Sequence, residues 1–286
     1  MMIKQKVTWF VQRVPKVPVI ILLILICSAL FADLLPLHHP EIGNPRQRLL
    51  PPSIELRGGT RNLLGTDTMG RDILSRLIYG SRISLVVALA AVMFAACLGT
   101  MAGVLAGFFG GWVDQVIMRF TDAWLSIPTV MFGILMAVIV GPGVFNIVVI
   151  MGLVYWTRYA RVTRGETLSL KTRDFVHLAT IAGSGKIRTM WKHILPNVMN
   201  NVITLASLQI GSVVVVEASL TFLGVGVPPP KPAWGLMLSE GRGGLLSGYW
   251  WLVIFPGVAI ALLVISFNVI GDWLRLYLDP HYRNLE

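Results

Sequence analysis

The short motif that most suggests chemistry is Gly183-Ser184-Gly185-Lys186, which looks like the end of a phosphate-binding loop. In such a loop, backbone N–H groups of a glycine-rich turn hold the phosphates and the lysine reaches the terminal ones. Two positions disagree with that use. Thr180 stands where the leading glycine belongs, and Ile187 stands where a serine or threonine must reach magnesium. The motif therefore does not predict a nucleotide site.

Metal binding and catalysis are the other chemistries to consider. His38 and His39 are adjacent, so their side chains point apart on a regular element and do not converge on a metal. Cys27 and Cys97 lie inside apolar runs without metal-ligand spacing, and we expect them to pack as small apolar residues. The sequence has no G-x-S-x-G or H-E-x-x-H motif. We therefore expect no metal, no cofactor and no catalytic centre in this chain.

The elements that must position any functional residue are membrane-spanning helices. The chain has 286 residues, of which 55% are hydrophobic and only 13% charged, and its mean hydropathy is +0.72. A soluble domain carries about 25% charged residues, and a helix needs about 20 apolar residues to cross a bilayer. Six runs approach that length: 17–35, 83–108, 119–141, 143–162, 202–226 and 250–274. The first run is longer than a secretory signal core, so we expect a retained anchor. These runs predict an all-α polytopic membrane protein with six transmembrane helices.

Lysine and arginine residues indicate the orientation of these helices. The N-terminal tail has four basic residues and no acidic one, and segment 158–192 has eight against two acidic residues. Basic flanks mark the cytoplasmic side, so we place both termini and this segment there. Loop 36–82 would then be external although it holds seven arginines against four acidic residues, which the charge rule alone does not explain. We attribute the net charge of +10 to membrane flanks and predict lipid, not nucleic acid, as the partner.

Segment 171–197, which reads KTRDFVHLATIAGSGKIRTMWKHILPN, is a polar insert between two apolar runs. Apolar residues at i, i+3, i+4 and i+7 predict a first short amphipathic helix, and a second helix repeats the spacing after the Gly-Ser-Gly break. The two apolar faces consist of Phe175, Leu178, Ala179 and Ala182, and of Ile187, Met190, Trp191 and Ile194. Pro196 is expected to mark the exit from the second helix. The insert either lies on lipid headgroups or docks into a groove of a partner subunit.

This insert resembles the EAA loop of importer-type ABC permeases. That pattern is Glu-Ala-Ala, three residues, Gly, nine residues, Ile, one residue and Leu-Pro. Gly183 and Leu195-Pro196 match at the right distance, and Ala179 takes the place of the second alanine. The departures are His177 for the glutamate, Leu178 for the first alanine and His193 for the isoleucine.

Other stretches are similar to the dipeptide/oligopeptide branch of this family, the DppC/OppC type. They are LGTDTMGRDILSRLIYGSRISL at 64–85, DQVIMRFTDAWLSIP at 114–128, EASLTFLGVG at 217–226, PPPKPAWGLML at 228–238 and FPGVAIALLVISFNVIGDWLRLYLDP at 255–280. The resemblance implies a MetI-like permease core over 83–286, with a cytoplasmic coupling loop at 164–200. Residues 1–82 would supply the cytoplasmic tail, the first transmembrane helix and an external loop.

The resemblance also implies a machine in the bacterial inner membrane. Its partners would be a second homologous permease, two subunits that bind ATP and magnesium, and an extracytoplasmic solute-binding protein. The expected cargo is di- or oligopeptides, with nickel, glutathione or oligosaccharides as alternatives within the same branch. A membrane-bound enzyme or a sensor is the alternative from a different class. The residues expected to couple ATP hydrolysis to transport are Asp174, Phe175, Leu178, Ala179, Gly183, Ser184, Gly185, Lys186 and Arg188.

Three further groups of residues lie outside the insert. Glu217 lies within a span, so it either lines the translocation pathway or forms a helix–helix hydrogen bond. Small residues at every fourth position predict a close helix-packing seam, whose neighbour is a helix of this chain or the partner permease; they are Gly99, Gly103 and Gly107. An external charged group predicts either a salt-bridged interfacial helix, with i, i+4 pairs, or a contact with the binding protein; it comprises Asp67, Arg71, Asp72 and Arg76.

Overall fold

The regular elements of the protein are helices throughout the part that the structure, a computed structural model, describes, namely residues 14–53 and 62–278. The α-helices in these ranges are α1 (Lys16–Leu30), α2 (Ile73–Phe109), α3 (Gly111–Leu125), α4 (Thr129–Val140), α5 (Val144–Lys171), α6 (Asp174–Ile181), α7 (Lys186–Thr189), α8 (Leu195–Phe222), α9 (Trp234–Leu245) and α10 (Trp251–Leu278). Short 3₁₀ turns occupy Ala32–Leu34 and Pro45–Gln47, and a π turn occupies Met190–Ile194. The all-α prediction is confirmed.

Each of the six predicted spans coincides with helical structure, although the helices differ in length and polarity. Among the described residues, three helices are long and apolar enough to cross a membrane: Ile73–Phe109, the continuous run Lys186–Phe222, and Trp251–Tyr277. Helix α1 is apolar but only 15 residues long. Helix α5 has 28 residues, and its second half is basic. The chain is therefore polytopic, with its charged helix ends grouped around α5.

The third predicted span, 119–141, is not one continuous helix. It consists of α3 and α4, which meet at a 92° bend. Pro128 precedes α4, and a proline ring cannot continue the hydrogen-bond ladder of α3. The Trp124 indole Nε1 donates to the Leu153 carbonyl at 2.7 Å, and its ring lies 4.7 Å from that of Phe132. The bend is thus packed in place against α5.

Helices α2 and α5 form the centre of the bundle, because glycines let their backbones touch. A Cβ on Gly99 would lie 2.1 Å from the Trp156 carbonyl oxygen, and one on Gly103 would lie 2.3 Å from that of Ala160. Gly107 approaches Thr167 of α5 in the same way. The predicted seam is confirmed, and its neighbour is a helix of the same chain. The alternative that it faces the partner permease is wrong.

The remaining helices pack around this pair. Helix α8 contacts α2, α5 and α10, while α9 packs against both α8 and α10. The Trp234 indole of α9 is 1% exposed and donates to the Leu77 carbonyl of α2 at 2.9 Å. Helix α1 lies against α2 and α10. The core therefore runs along α2, α5 and α8, and the segment between α5 and α8 projects from one end of it.

Candidate functional site

The segment between α5 and α8 has the predicted helix–glycine–helix form. Helix α6 begins three residues after α5 ends and stops at a turn in which Gly183 has a φ of +83°. The Gly183 N–H donates to the Thr180 carbonyl, and the Ser184 N–H donates to the Ala179 carbonyl, each at 3.0 Å. Only glycine adopts a positive φ without steric cost, which explains its presence at this turn. The turn fixes the direction in which α6 presents its side chains.

Large apolar side chains cover the outer surface of this segment. We call this surface the docking patch; its members and exposed fractions are Phe175 (40%), Leu178 (63%), Ile181 (82%), Ile187 (67%) and Trp191 (49%). An exposed apolar group of this size marks an interaction surface. Phe175 and Leu178 were predicted from the helical spacing, whereas Ile181 was missed because it lies at i+6 from Phe175, outside the set i, i+3, i+4 and i+7.

The sides of the two helices that face inward differ from the prediction. In α6 the buried residue is Val176, at 5% exposure, whereas Ala179 is only half-buried and Ala182 is exposed. The predicted second stripe is divided, because Met190 and Ile194 are buried while Ile187 and Trp191 face outward. One face of this segment therefore packs against the bundle, and the other face is exposed.

Polar residues complete the rim of the docking patch. Asp174, Lys186 and Arg188 are exposed, as expected for a charged rim. Ser184 is half-buried and its Oγ accepts a hydrogen bond from the Thr189 hydroxyl at 3.0 Å, which ties the turn to α7. Gly185 forms the N-cap of α7 with a φ of −64°.

The predicted exit at Pro196 is wrong. Pro196 lies in the first turn of α8, and the helix continues through it to Phe222. The π turn Met190–Ile194 precedes it, with the Leu195 N–H donating to the Met190 carbonyl five residues earlier. In a π turn the backbone N–H groups pair with carbonyls five residues earlier instead of four. Because the hydrogen-bond pattern shifts just before Pro196, the missing N–H of this proline does not interrupt the helix. The docking patch is consequently continuous with a membrane-spanning helix.

The other side of the patch is attached to the C-terminal end of α5, which bonds to two neighbouring helices. Arg164 of α5 donates to both carboxylate oxygens of Asp114 in α3, with the Nη2–Oδ2 distance at 2.6 Å. Lys171 donates to the Phe108 carbonyl at the end of α2 at 2.7 Å. A force applied to the patch therefore reaches α5 on one side and α8 on the other.

The sequence profile of the family described as "binding-protein-dependent transport system inner membrane component" matches residues 99–284. The chain belongs to this family. It is therefore the multi-pass inner-membrane permease component of a binding-protein-dependent ABC importer and not an enzyme itself, since ATP is hydrolysed by partner chains.

Curated relatives of the permease are similar over most of its length. The di/tripeptide transport system permease protein DppC of Pseudomonas aeruginosa is 39% identical, over 92% of this chain and 86% of the relative. The dipeptide transport system permease protein DppC of Haemophilus influenzae is 38% identical, over 95% and 93%. The glutathione transport system permease protein GsiD of Pectobacterium atrosepticum is 38% identical, over 77% and 73%.

Glu217 of the permease lies in the interior of the chain at 1% exposure. Its carboxylate accepts a hydrogen bond from the Thr221 hydroxyl at 2.9 Å, one turn later on the same helix. The Thr221 oxygen in turn accepts from the Val227 N–H at 3.2 Å. Among the described residues, the hydrogen bond that Glu217 makes is therefore within its own helix, and both alternatives for this residue stay predictions. Through Thr221, the side chain is connected to the loop that follows α8.

The external charged group of the permease is also buried, so it does not present a surface to the binding protein. Asp67, Arg71, Asp72 and Arg76 have exposures between 1% and 5%. Asp67 pairs with Arg71 at 2.6 Å as predicted, but the pair Arg76–Asp72 is wrong. Asp72 caps α2 by accepting from the Ser75 N–H at 2.8 Å.

Arg76 finds its partners elsewhere. It pairs with Asp67 and with Glu240 of α9, the latter at 2.7 Å, and Arg71 also reaches Glu240 at 2.8 Å. The predicted helix over these residues is replaced by a turn, and α2 starts only at Ile73. Sequence spacing did not reveal Glu240, because it lies more than 160 residues away along the chain.

Proposed function

We propose that this permease forms, with a second homologous permease, a pore that moves di- or oligopeptides into the cytoplasm. Two ATP-binding subunits would hold ATP and magnesium, and a binding protein would deliver the peptide from outside. The observation that carries this proposal is the docking patch, an apolar surface held between two helices of the bundle in a chain of this family. We expect it to insert into a groove on an ATP-binding subunit.

The attachment of the patch supports a mechanism for energy transfer. Closure of the ATP-binding subunits would push α6, and the rigid contacts of α5 and α8 would convert that push into a tilt of both helices. Asp174, Lys186 and Arg188 would contact charged groups at the rim of the groove. The remaining predicted coupling residues take part in the turn between the two helices and would keep α6 at a constant angle to α7; they are Ala179, Gly183, Ser184 and Gly185.

The same proposal places the docking patch and both termini in the cytoplasm. The basic segment 158–192 and the basic N-terminal tail support this orientation, although residues 1–13 and 279–286 lie outside the described residues. Two of the seven arginines in loop 36–82 weigh less against it than their number suggests. Arg71 and Arg76 are paired with buried carboxylates, so they do not act as free positive charges.

The cargo is inferred from the relatives. Peptides are the first candidate because two of these permeases carry dipeptide or di/tripeptide in their names. Glutathione is the second candidate because a glutathione system permease is 38% identical. Both are small peptidic solutes with at least one free carboxylate, and both would pass through the same pore.

The test is uptake by the complete complex in proteoliposomes, with ATP inside and the binding protein outside. We expect ATP-dependent accumulation of a labelled dipeptide, with glutathione offered in parallel to decide between the two cargoes. A complex that hydrolyses ATP but accumulates neither solute would contradict the peptide proposal.

A further inference from the structure

Arg158 of α5 is a charged residue within a predicted span, 143–162, and its side chain is exposed. At 1.5 Å per residue it lies about 21 Å from the outer end of α5, in the inner half of a hydrocarbon core about 30 Å thick and four residues before the predicted span ends. A charge at such depth is costly and usually serves a pathway or a partner. The neighbouring arginines differ from it, because Arg161 pairs with Asp122 and Arg164 pairs with Asp114. Arg158 has no acidic partner among the described residues.

The direction of the side chain argues against an arginine that merely extends to cytoplasmic headgroups. Its guanidinium carbon lies 5.3 Å from the centre of the Tyr155 ring, which is one turn nearer the outer end of α5. Its Nη1 also lies 3.4 Å from the Oε1 atom of Gln209 on α8. An arginine reaching the inner surface would point toward the C-terminal end of α5. Arg158 instead points toward the membrane interior.

Gln209 adds a second donor at the same place. The residue is 3% exposed, and its Nε2 has no hydrogen-bond partner among the described residues. The amide oxygen accepts from Arg158, and the atom of Gln209 left without a partner is the N–H donor Nε2. A cluster of unused donors around a permanent positive charge suits an anion, and most of all a planar carboxylate.

The surface around Arg158 has the polarity of a water-filled passage. Asn201 and Ser212 on α8 are both exposed and are 11 residues apart, which places them on one face of the helix. Ser212 lies three residues after Gln209, which accepts from Arg158 at 3.4 Å, so this face adjoins Arg158. Exposed polar side chains within a span face water or another protein subunit instead of lipid.

We propose that Arg158 and Gln209 form a carboxylate-binding site in the translocation pathway, which takes the C-terminal carboxylate of the transported peptide. The proposal rests on the proposed transport of peptides. The guanidinium would form two parallel hydrogen bonds with the carboxylate, and the Gln209 amide would donate a third. Because the site lies about midway along α5 and α8, it would engage the peptide only after release from the binding protein.

The first test compares Arg158→Met and Arg158→Lys in the complete complex reconstituted in proteoliposomes. Loss of a hydrogen-bonded charge should lower dipeptide uptake about tenfold in the methionine variant. The lysine variant keeps the charge but loses the two parallel hydrogen bonds, so its uptake should lie between those of the wild type and the methionine variant, and both variants should keep binding-protein-stimulated ATP hydrolysis. Equal uptake by wild type and Arg158→Met would overturn the site. Absence of uptake by the wild type would instead refute the proposed function.

A second test does not depend on transport. Ser212→Cys, an exposed position three residues from Gln209 that leaves Arg158 and Gln209 intact, is made with Cys27 and Cys97 replaced by serine, and a membrane-impermeant sulfonated thiol reagent is added to the complex. We expect the new cysteine to react, and a dipeptide present at the same time to slow the reaction. No reaction would show a position that faces lipid, and reaction without protection would show a pathway without this site. Either result overturns the proposal.

Discussion

At the scale of single residues, the permease buries charges in mutual contact just before α2. Arg71 and Arg76 are each 1% exposed, and they share Asp67 and Glu240. Such a group joins the external loop, α2 and α9. Its composition was visible in the sequence, but burial of the group and the distant Glu240 were not, because both depend on how α9 folds back over α2.

Asp67→Asn tests the stability that this group provides. The exchange removes one negative charge beside two buried arginines and should cost about 3–5 kcal/mol of the free energy of unfolding, since an unpaired buried charge is strongly unfavourable. The measurement is thermal unfolding of the purified permease in detergent. Asp33→Asn is the matched control, because its partner Arg82 is 40% exposed and Asp33 itself is 66% exposed. It should scarcely change the melting temperature, and an equal effect of both variants would contradict the role of burial.

At the scale of elements, two kinds of sequence pattern differ in what they predict. Glycines at every fourth residue of α2 correctly predicted a close helix contact, because backbone approach is a local property. Proline was less informative. Pro128 ends a helix where a straight span was expected, whereas Pro196 does not interrupt one. The helix continues through Pro196 because a π turn precedes it. The hydrogen bonds of that turn cannot be predicted from the residue types.

Gly103→Ala tests the contact between α2 and α5. The added methyl group would lie 2.1 Å from the Thr163 Oγ1 atom and 2.3 Å from the Ala160 carbonyl oxygen. The helices would have to separate, at a cost of about 1–3 kcal/mol, which should appear as a lower melting temperature and less protein in the membrane.

Gly165→Ala on α5 is the control, since no atom lies within 4 Å of its added Cβ. It should be neutral or stabilise the helix by about 0.5–1 kcal/mol. Unchanged stability of the Gly103 variant would show that the seam is looser than described.

Gly183→Pro tests the turn that orients α6. Proline fixes φ near −65°, whereas Gly183 has a φ of +83° and uses its N–H to bond Thr180. We expect the protein to insert normally but to lose transport and transport-linked ATP hydrolysis. Gly183→Asn should retain far more activity, because asparagine tolerates a positive φ. Full uptake by the proline variant would remove the turn from the coupling mechanism.

At the scale of the whole molecule, the account depends on which surface receives the energy of ATP. The helical class, the family and the insert were predictable, because hydropathy and motif spacing are local properties of the chain. The side of the insert that faces outward was only partly predictable. Which apolar residues are anchored against α5 and α8 depends on tertiary packing, as the separation of Val176 from Leu178 shows.

Recovery of ATP-binding subunits with the tagged permease is the most direct test of the central claim. In the variant Leu178→Asp with Ile181→Asp, charges replace two apolar side chains of the docking patch. We expect recovery of these subunits to fall roughly tenfold or more, while the second permease is still recovered. Thr172→Asp, an exposed position before α6, adds a charge outside the patch and should leave recovery near that of the wild type. Equal recovery from the double variant and the wild type would contradict the assignment of this surface as the point where ATP hydrolysis drives transport.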